Sequence, residues 1–265
     1  MEKFAIVVSE QDPASLNILE KINAIGFPEW GALYKFKEDI INFDFNKVAE
    51  EKVICLSRHK SEAGTKSLTI HHLGNFGPDA SVGGEPKKLC GTLPQIGANY
   101  LRALAKKNEE SGLVKDGFVV CMEVTHHGPF SEKSCLFIEI GSSEKDWDNE
   151  LAGNIIAETI LEETLKSDGR VVGKKDKVVI GLGGGHYAPD FTKLVLRQPY
   201  AFGHICPKYA LDNLNEDTFA QMISKSGAEE IVLDWKGLKE WKDKVTELCK
   251  KTSLPVVRVQ NLLGY

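Results

Sequence analysis

The seven histidines of the chain are the residues best suited to chemistry, because almost all of them follow strand-like segments. They are His59, His71, His72, His126, His127, His186 and His204. In open α/β sheets, ligands bind beyond the carboxyl ends of the strands. If these strands run parallel, the sequence predicts one site at that edge, shared by several imidazoles. The alternative interpretation is a group of unrelated surface histidines.

A carboxylate accompanies two of these histidines in the segment Glu123–His127. In an extended backbone Glu123, Thr125 and His127 lie on one face, because side chains alternate along a strand. A carboxylate beside an imidazole can serve as a general base next to a metal ligand. The simpler alternative is that Glu123 only orients His127.

The residue types favour a metal over a nucleophile. His59 and Glu62 have the H-x-x-E spacing of zinc carboxypeptidases, which is a weak signal by itself. No cysteine adjoins a histidine and no G-x-S-x-G motif is present, which argues against a serine or cysteine nucleophile. Histidine and carboxylate without thiolate form a ligand set for catalytic zinc.

These arguments predict a shell of five side chains, His59, His71, Glu123, His127 and His186. We expect zinc to bind His59, His71 and His127, and we expect Glu123, His127 and His186 to be catalytic. His72 and His126 fall on the opposite faces of their strands if the backbone stays extended. We therefore expect both to contribute less.

A glycine-rich loop, Gly181–Pro189, follows a further strand-like segment. It is not a Rossmann loop, because His186 occupies the sixth position of G-x-G-x-x-G. Three successive glycines, Gly183, Gly184 and Gly185, let backbone N–H groups converge on an anion or an oxyanion. A tight structural turn is the alternative. Arg58, just before His59, is a candidate anchor for a carboxylate or a phosphate.

Strand-like and helix-like segments alternate along the chain, which predicts an α/β sandwich with a mixed, mainly parallel sheet. No linker or repeat divides the sequence, so we expect one domain over residues 1–265. Leu73–Lys88 is predicted to be a long ordered loop, a type that is often functional. The predicted helices include Ala14–Ile25, Thr92–Asn108 and Trp147–Leu165.

Composition sets further limits on the class of protein. Hydrophobic residues make up 42% and charged residues 27% of the chain, as in ordinary globular proteins. The six cysteines form no C-x-x-C pair, so we expect a reducing, cytoplasmic location. No apolar run is long enough to span a membrane. We infer no protein partner and expect a monomer or a small homo-oligomer.

Four motifs follow one another along the chain. They are S-R-H-x-S at Ser57–Ser61, L-T-x-H-x-x-G-N at Leu68–Asn75, M-E-V-T-H-H-G-P at Met122–Pro129 and G-G-G-H-Y-A-P at Gly183–Pro189. Together they resemble the motifs of the archaeal and plant D-aminoacyl-tRNA deacylases. The resemblance implies a fold similar to phosphorylase/hydrolase-like proteins. It also implies zinc-dependent hydrolysis of the ester between a D-amino acid, sometimes glycine, and tRNA.

With a D-aminoacyl-tRNA substrate, we expect the binding residues to be Arg58, Asn75, Gly183, Gly184, Gly185 and Tyr187. Tyr187 or Phe202 is a candidate to stack on the terminal adenosine. The net charge of −5 requires the tRNA patch to be local, and we place it on Arg102 and Lys106 of the predicted second helix. The next candidate is the loop Lys166–Lys177. Asp190 stands where a basic residue is expected after H-Y-A-P.

Two other functions remain open from the sequence. A zinc metallopeptidase or amidohydrolase acting on a small substrate is suggested by the H-x-x-E spacing and by the kinship of fold. A non-catalytic tRNA-binding module is the third possibility. The dense set of strand-end histidines speaks against it, because phosphate binding uses Arg and Lys rather than buried imidazoles.

Overall fold

The protein is represented by a computed structural model that describes residues 3–62, 64–166 and 175–265. The strands are β1 Phe4–Ser9, β2 Gly31–Phe36, β3 Lys52–Lys60, β4 Ser67–His71, β5 Val119–Met122, β6 Ser134–Ser142, β7 Lys177–Leu182, β8 Tyr200–Cys206, β9 Glu230–Leu233 and β10 Val256–Arg258. The α-helices are α1 Pro13–Ile25, α2 Pro94–Ser111, α3 Glu144–Trp147, α4 Glu150–Leu165, α5 Pro189–Arg197, α6 Glu216–Ser226, α7 Lys242–Lys250 and α8 Val259–Leu263.

The strands form two sheets rather than the single sheet that the alternation suggests. The six-stranded sheet has the order β2-β1-β3-β6-β4-β5, and the four-stranded sheet has the order β10-β9-β7-β8. All neighbouring strands are parallel except β4 and β6, which are antiparallel. The predicted α/β class with mainly parallel strands is therefore confirmed, and its division into two sheets is new.

The edge strand β2 and the start of α4 are two of the places where the structure departs from the sequence prediction. β2 is an edge strand that carries exposed and half-buried positions, so it lacks the apolar run that reveals a buried strand. The helix predicted over Trp147–Leu165 is α4, which begins three residues later at Glu150, because Asn149 caps its start by accepting a hydrogen bond from Ala152 N at 2.9 Å. A capping side chain of this kind begins a new helix.

The central strand β6 has one face in the large hydrophobic core and the other face towards the histidines. Leu136, Ile138 and Ile140 pack into the large core under α1, α2 and α4. Cys135 and Phe137 point to the other face, which is covered by apolar residues of the segment after β2. Glu139 shares this second face, because alternate residues of a strand point the same way. The second face is where the histidines gather.

The two sheets meet where β5 ends. Val124 N donates to the carbonyl of His186 at 3.0 Å, and Thr125 N donates to the carbonyl of Ile205 at 2.9 Å. Residues of both sheets, such as Ile70 and Phe202, share one hydrophobic core. The prediction of one domain over residues 1–265 stays a prediction.

None of the helices in the described part of the chain has the length and apolarity needed to cross a bilayer.

Candidate active site

Glu123 lies at the centre of a buried cluster of imidazoles. Its Oε1 is 3.1 Å from His59 Nδ1, and its Oε2 is 2.8 Å from His186 Nε2 and 3.5 Å from His126 Nε2. The strand β5 positions it, because Glu123 N still donates to the carbonyl of Ile70 at 2.9 Å. One carboxylate therefore joins histidines from three different segments of the chain.

Glu139 is a second carboxylate of the cluster, and the sequence reasoning missed it. Its Oε1 is 3.6 Å from His71 Nε2, and its Oε2 is 3.6 Å from His59 Nδ1. Thr69 Oγ1 donates to it at 3.4 Å. A lone glutamate in the otherwise apolar run of β6 was the available signal, because a buried charge must be paired or bind a metal.

The predicted face assignment around residue 125 is wrong. The regular strand stops at Met122, so alternation no longer applies to the residues that follow. Thr125 turns away from the cluster towards His204, 3.1 Å from its Nδ1. Both His126 and His127 join the cluster, with ring centroids 4.2 and 4.8 Å from that of His71.

Three imidazoles turn Nε2 towards the centre of the cluster and hold a proton on Nδ1. The Nδ1–H groups of His71, His126 and His127 donate to the carbonyls of His72, Val124 and Gly128, at 3.3, 2.8 and 2.6 Å. A proton held on Nδ1 leaves Nε2 with its lone pair. This arrangement is the usual one for histidines that bind a metal.

Three groups of potential ligands result, each with donor atoms within 4.8 Å of one another. The first is His71, His126 and His127, the second is His59, Glu123 and His186, and the third is His71, Glu123 and Glu139. None of the three groups contains the whole predicted metal trio His59, His71 and His127. His71 Nε2 and both carboxylate oxygens of Glu123 are buried without a hydrogen-bond partner, although imidazole nitrogens lie within ion-pair distance of Glu123. We take this as poor alignment for hydrogen bonding, which suits donors aimed at a common cation.

The electrostatics of the cluster follow from burial and from its two carboxylates. Burial lowers the pKa of His127 to about 4. Burial also opposes the charged form of His59, but Glu123 and Glu139 outweigh it and raise the pKa of that imidazole to about 11. Burial works against the ionised form of Glu123, yet His186 and His59 hold its pKa well below the usual range. Both carboxylates thus attract positive charge into the centre.

A cleft of about 330 Å³ opens onto the cluster. The histidines His59, His126, His127 and His186 line its polar side, and Ile40, Ile41, Val82 and Phe137 line its apolar side. Arg58 also lines it, but its Nη2 is 3.0 Å from Asp39 Oδ2 and its Nη1 donates to the carbonyl of Gln11 at 2.9 Å. An anionic substrate group would have to compete with Asp39 for this guanidinium.

The loop Leu73–Lys88 supports the cluster from one side. Gly128 N donates to the carbonyl of Val82 at 3.1 Å. A Cβ on Gly128 would lie 2.0 Å from Gly84 N, so glycine is required for this close approach. Asn75 stays within the loop, where its Nδ2 donates to the carbonyl of Gly83 at 2.9 Å. The substrate contact expected of Asn75 stays a prediction.

The glycine-rich loop delivers His186 and Tyr187 to the cleft. Tyr187 Oη is 3.0 Å from His59 Nε2. Gly183 N donates to the carbonyl of Cys206 at 2.9 Å, so this N–H is already used within the fold. Contacts of substrate with Gly184, Gly185 and Tyr187 stay predictions. Phe202 is wrong as a stacking platform, because it is buried and packs against Phe191.

His72 and His204 lie outside the cluster and have structural roles. His72 Nε2 accepts from Leu93 N at 3.1 Å at the start of α2, and its Nδ1 donates to the carbonyl of Gly203 at 3.1 Å. His204 Nε2 donates to the carbonyl of Cys90 at 2.9 Å, and its Nδ1 accepts from Thr125. Their rings are fully used in joining elements of the two sheets.

His204 should make stability depend on pH in the mildly acidic range. Burial lowers its pKa to about 4 from the usual 6.5. The unfolded chain therefore takes up this proton as the pH falls through 6.5, while the folded protein does so only near pH 4. Stability is lost between these values, by up to about 3 kcal/mol. Urea unfolding across this pH range should show a shallower decline for His204→Gln than for wild type, and equal slopes would contradict the assignment.

The tRNA patch predicted on α2 stays a prediction, and its Arg102 is engaged within the fold. Arg102 donates to the carbonyl of Val195 at 2.9 Å and to Asp176 Oδ2 at 2.6 Å. Asp176 precedes β7, whereas His186 follows its other end, and six residues of strand span about 20 Å. Arg102 thus stabilises the edge of the second sheet away from the cluster. The alternative patch at Lys166–Lys177 lies largely outside the described residues.

The fold and the cluster together define an α/β protein with a buried histidine–carboxylate centre at the junction of two sheets. The sequence pattern of the D-aminoacyl-tRNA deacylase family matches residues 47–257, and the chain belongs to that family.

Similar proteins cover nearly the whole chain. A protein named D-aminoacyl-tRNA deacylase from Methanocaldococcus jannaschii is 38% identical, over 89% of this chain and 91% of its own length. A protein of the same name from Pyrococcus furiosus is 37% identical, over 96% of this chain and 98% of its own length. A crystal structure described as a conserved protein of unknown function has a TM-score of 0.88 at 30% identity, over 98% of this chain and 96% of that one.

Proposed function

We propose that the protein hydrolyses the ester bond that joins a D-amino acid to the 3′-terminal adenosine of tRNA. The main observation in support of this proposal is the cluster of five imidazoles and two carboxylates that opens into the cleft. Family membership supports the substrate class, because the relatives are named for this activity. The products are the free amino acid and tRNA.

We further propose zinc as the cofactor. Imidazole and carboxylate ligands suit zinc, and His71 Nε2 and both oxygens of Glu123 are buried without a hydrogen-bond partner. His71, His126 and His127 would hold one position, and His59, Glu123 and His186 offer another. When bound, zinc supplies a Lewis acid for the ester carbonyl and lowers the pKa of water.

The side chains of the cluster have different roles in orientation, proton transfer and metal binding. Glu123 fixes the ring of His186 by charge attraction, since its Oε2 lies 2.8 Å from His186 Nε2. His186 is about one-third exposed at the cleft, so it can carry a proton between Glu123 and the substrate. His127 holds its own proton towards Gly128, and this makes it better suited to metal binding than to proton transfer.

The alternative of a zinc peptidase or amidohydrolase rests on the spacing of His59 and Glu62 and on the kinship of fold. Glu62 is exposed in the turn after β3, whereas the carboxylates that His59 contacts are Glu123 and Glu139. The H-x-x-E spacing therefore lends this alternative no support from the structure. Esters also hydrolyse more readily than amides, and the relatives carry an ester-hydrolysing name.

Release of radiolabelled amino acid tests the proposal directly. The protein is expected to deacylate D-tyrosyl-tRNA at least about a hundredfold faster than L-tyrosyl-tRNA, because stereochemical rejection needs a large difference in transition-state binding. Glycyl-tRNA is the third substrate, and its hydrolysis would extend the proposal to glycine. Equal rates for the D and L substrates, or none for either, would refute the proposed function.

A further inference from the structure

A groove lies beside the cluster at the carboxyl ends of β8 and β9. We call it the β8–β9 groove, and its volume is about 330 Å³. It is lined chiefly by Lys208, Tyr209, Lys239 and Trp241, together with Asp212 and Glu240. Lys208 lies in the loop after β8, and Lys239 lies in the loop after β9. Both loops follow strands of the second sheet, as the loop of His186 does. The groove and the cleft therefore open at the same edge of that sheet.

Direct contacts connect the groove to the candidate active site. Tyr209 Oη is 3.4 Å from His186 Nδ1. Lys208 N donates to the carbonyl of Gly184 at 3.0 Å, which ties the start of the groove to the glycine-rich loop. A chain that leaves the cluster past His186 would thus meet Tyr209 first and then the two lysines.

The charges of the groove suit a polyanion. Lys208 and Lys239 are exposed, and neither ammonium has a carboxylate within ion-pair distance among the described residues. The acidic side chains Asp212 and Glu240 balance these two lysines in formal charge. The excess positive charge comes from Lys244 next to the groove, because its ammonium is 5.4 Å from the ring centroid of Trp241.

The aromatic rings of the groove suit unpaired bases. Tyr209 is exposed and Trp241 is half-buried. Proteins that bind single-stranded nucleic acid combine a cationic groove with aromatic platforms for successive bases. A double-stranded partner would need a broad basic surface, which a chain of net charge −5 does not offer. The observations therefore favour a short single strand.

We infer that the β8–β9 groove binds the single-stranded 3′ end of tRNA, namely the nucleotides that precede the terminal adenosine. This inference rests on the proposed function, which places the aminoacyl ester at the cluster. Lys208 and Lys239 contact the phosphates, and Tyr209 and Trp241 stack on the bases. The groove thereby orients the ester without taking part in its hydrolysis.

Binding of RNA, measured apart from activity, tests the groove. The probe is a short 5′-fluorescein-labelled RNA that ends in CCA, followed by fluorescence anisotropy at several salt concentrations. Charge reversal at both lysines, K208E/K239E, should weaken binding by at least about tenfold and flatten the salt dependence by about one unit of log–log slope. Trp241→Leu should weaken binding several-fold, while Trp241→Phe retains most of it.

The matched control is K3E/K115E. Both lysines are exposed, and they precede β1 and β5 respectively, at the ends of these strands that lie away from the cleft and from Glu123. This control should bind RNA as wild type does. No binding by wild type, unchanged binding in K208E/K239E, or equal losses in the two double variants would overturn the inference.

A minimal substrate separates the groove from the proposed function. D-tyrosyl-adenosine, with the ester on its 3′ oxygen, carries no nucleotides for the groove. K208E/K239E should hydrolyse it at the wild-type rate while needing about tenfold more D-tyrosyl-tRNA for half-saturation. A slower rate on the minimal substrate would overturn a pure binding role. If wild type hydrolyses neither substrate while K208E/K239E alone loses RNA binding, the proposed function fails and the groove stands.

Discussion

Replacing Glu123 with glutamine is expected to slow the release of D-tyrosine from D-tyrosyl-tRNA by about a thousandfold. Glu123 is fully buried and reaches His59, His126 and His186 at once. Glutamine keeps the size of the side chain but removes its charge. The imidazoles then lose the anion that orients them, and any cation in the cluster loses a ligand.

Glu62 provides the control for this variant. It completes the H-x-x-E spacing with His59 but is exposed in the turn after β3. Glu62→Gln should therefore keep the wild-type rate. The measurement is single-turnover deacylation at saturating enzyme, with circular dichroism to show that both variants are folded. A rate for Glu123→Gln within threefold of wild type would remove Glu123 from the active site.

Removing bound metal is expected to reduce the rate at least about a hundredfold, and adding zinc should restore it. The physical reason is the donor set: three imidazoles hold their protons on Nδ1 and aim Nε2 at one place. Without a metal ion, Glu123 and Glu139 have only the surrounding imidazoles, chiefly His59, to balance their charge. Mass spectrometry before and after chelation measures the number of metal ions bound per chain. This number is then compared with the rate of the same preparation.

His126 and His72 supply a matched pair of variants for the metal experiment. His126 offers its Nε2 to the cluster, whereas both nitrogens of His72 are bonded to Leu93 and Gly203. His126→Asn should lower the zinc content, and His72→Asn should lower stability while retaining zinc. Full activity in a preparation shown to be free of metal would refute the metal proposal.

Local sequence patterns predicted most of the elements that carry the site. Apolar runs identify buried strands because a strand covered on both faces has no polar position, and this holds for β1 and most of β6. The half-exposed edge strand β2 carries no such run and escaped prediction. The order of the strands was beyond reach, because nothing local tells a strand which neighbour it will pair with.

The antiparallel pairing of β4 with β6 decides where the site lies on the sheet. His59 and His71 both end a strand, yet β4 runs antiparallel to β6, so His71 pairs with Phe137 in the middle of the sheet. The cluster therefore spans the face of the sheet around Glu139 rather than its edge. The histidines still converge, because long side chains on the same face reach a common carboxylate.

The sequence by itself determined the α/β class, the family and the residue types of the chemistry, since these depend on local runs and on short motifs. Only the tertiary structure decided which side chains meet. It brought Glu139 and His126 into the cluster, turned Thr125 out of it and bound Arg102 to backbone carbonyls far from the cleft. The physical reason is that a polar side chain takes its role from the partners that folding places beside it, and those partners lie far away in the sequence.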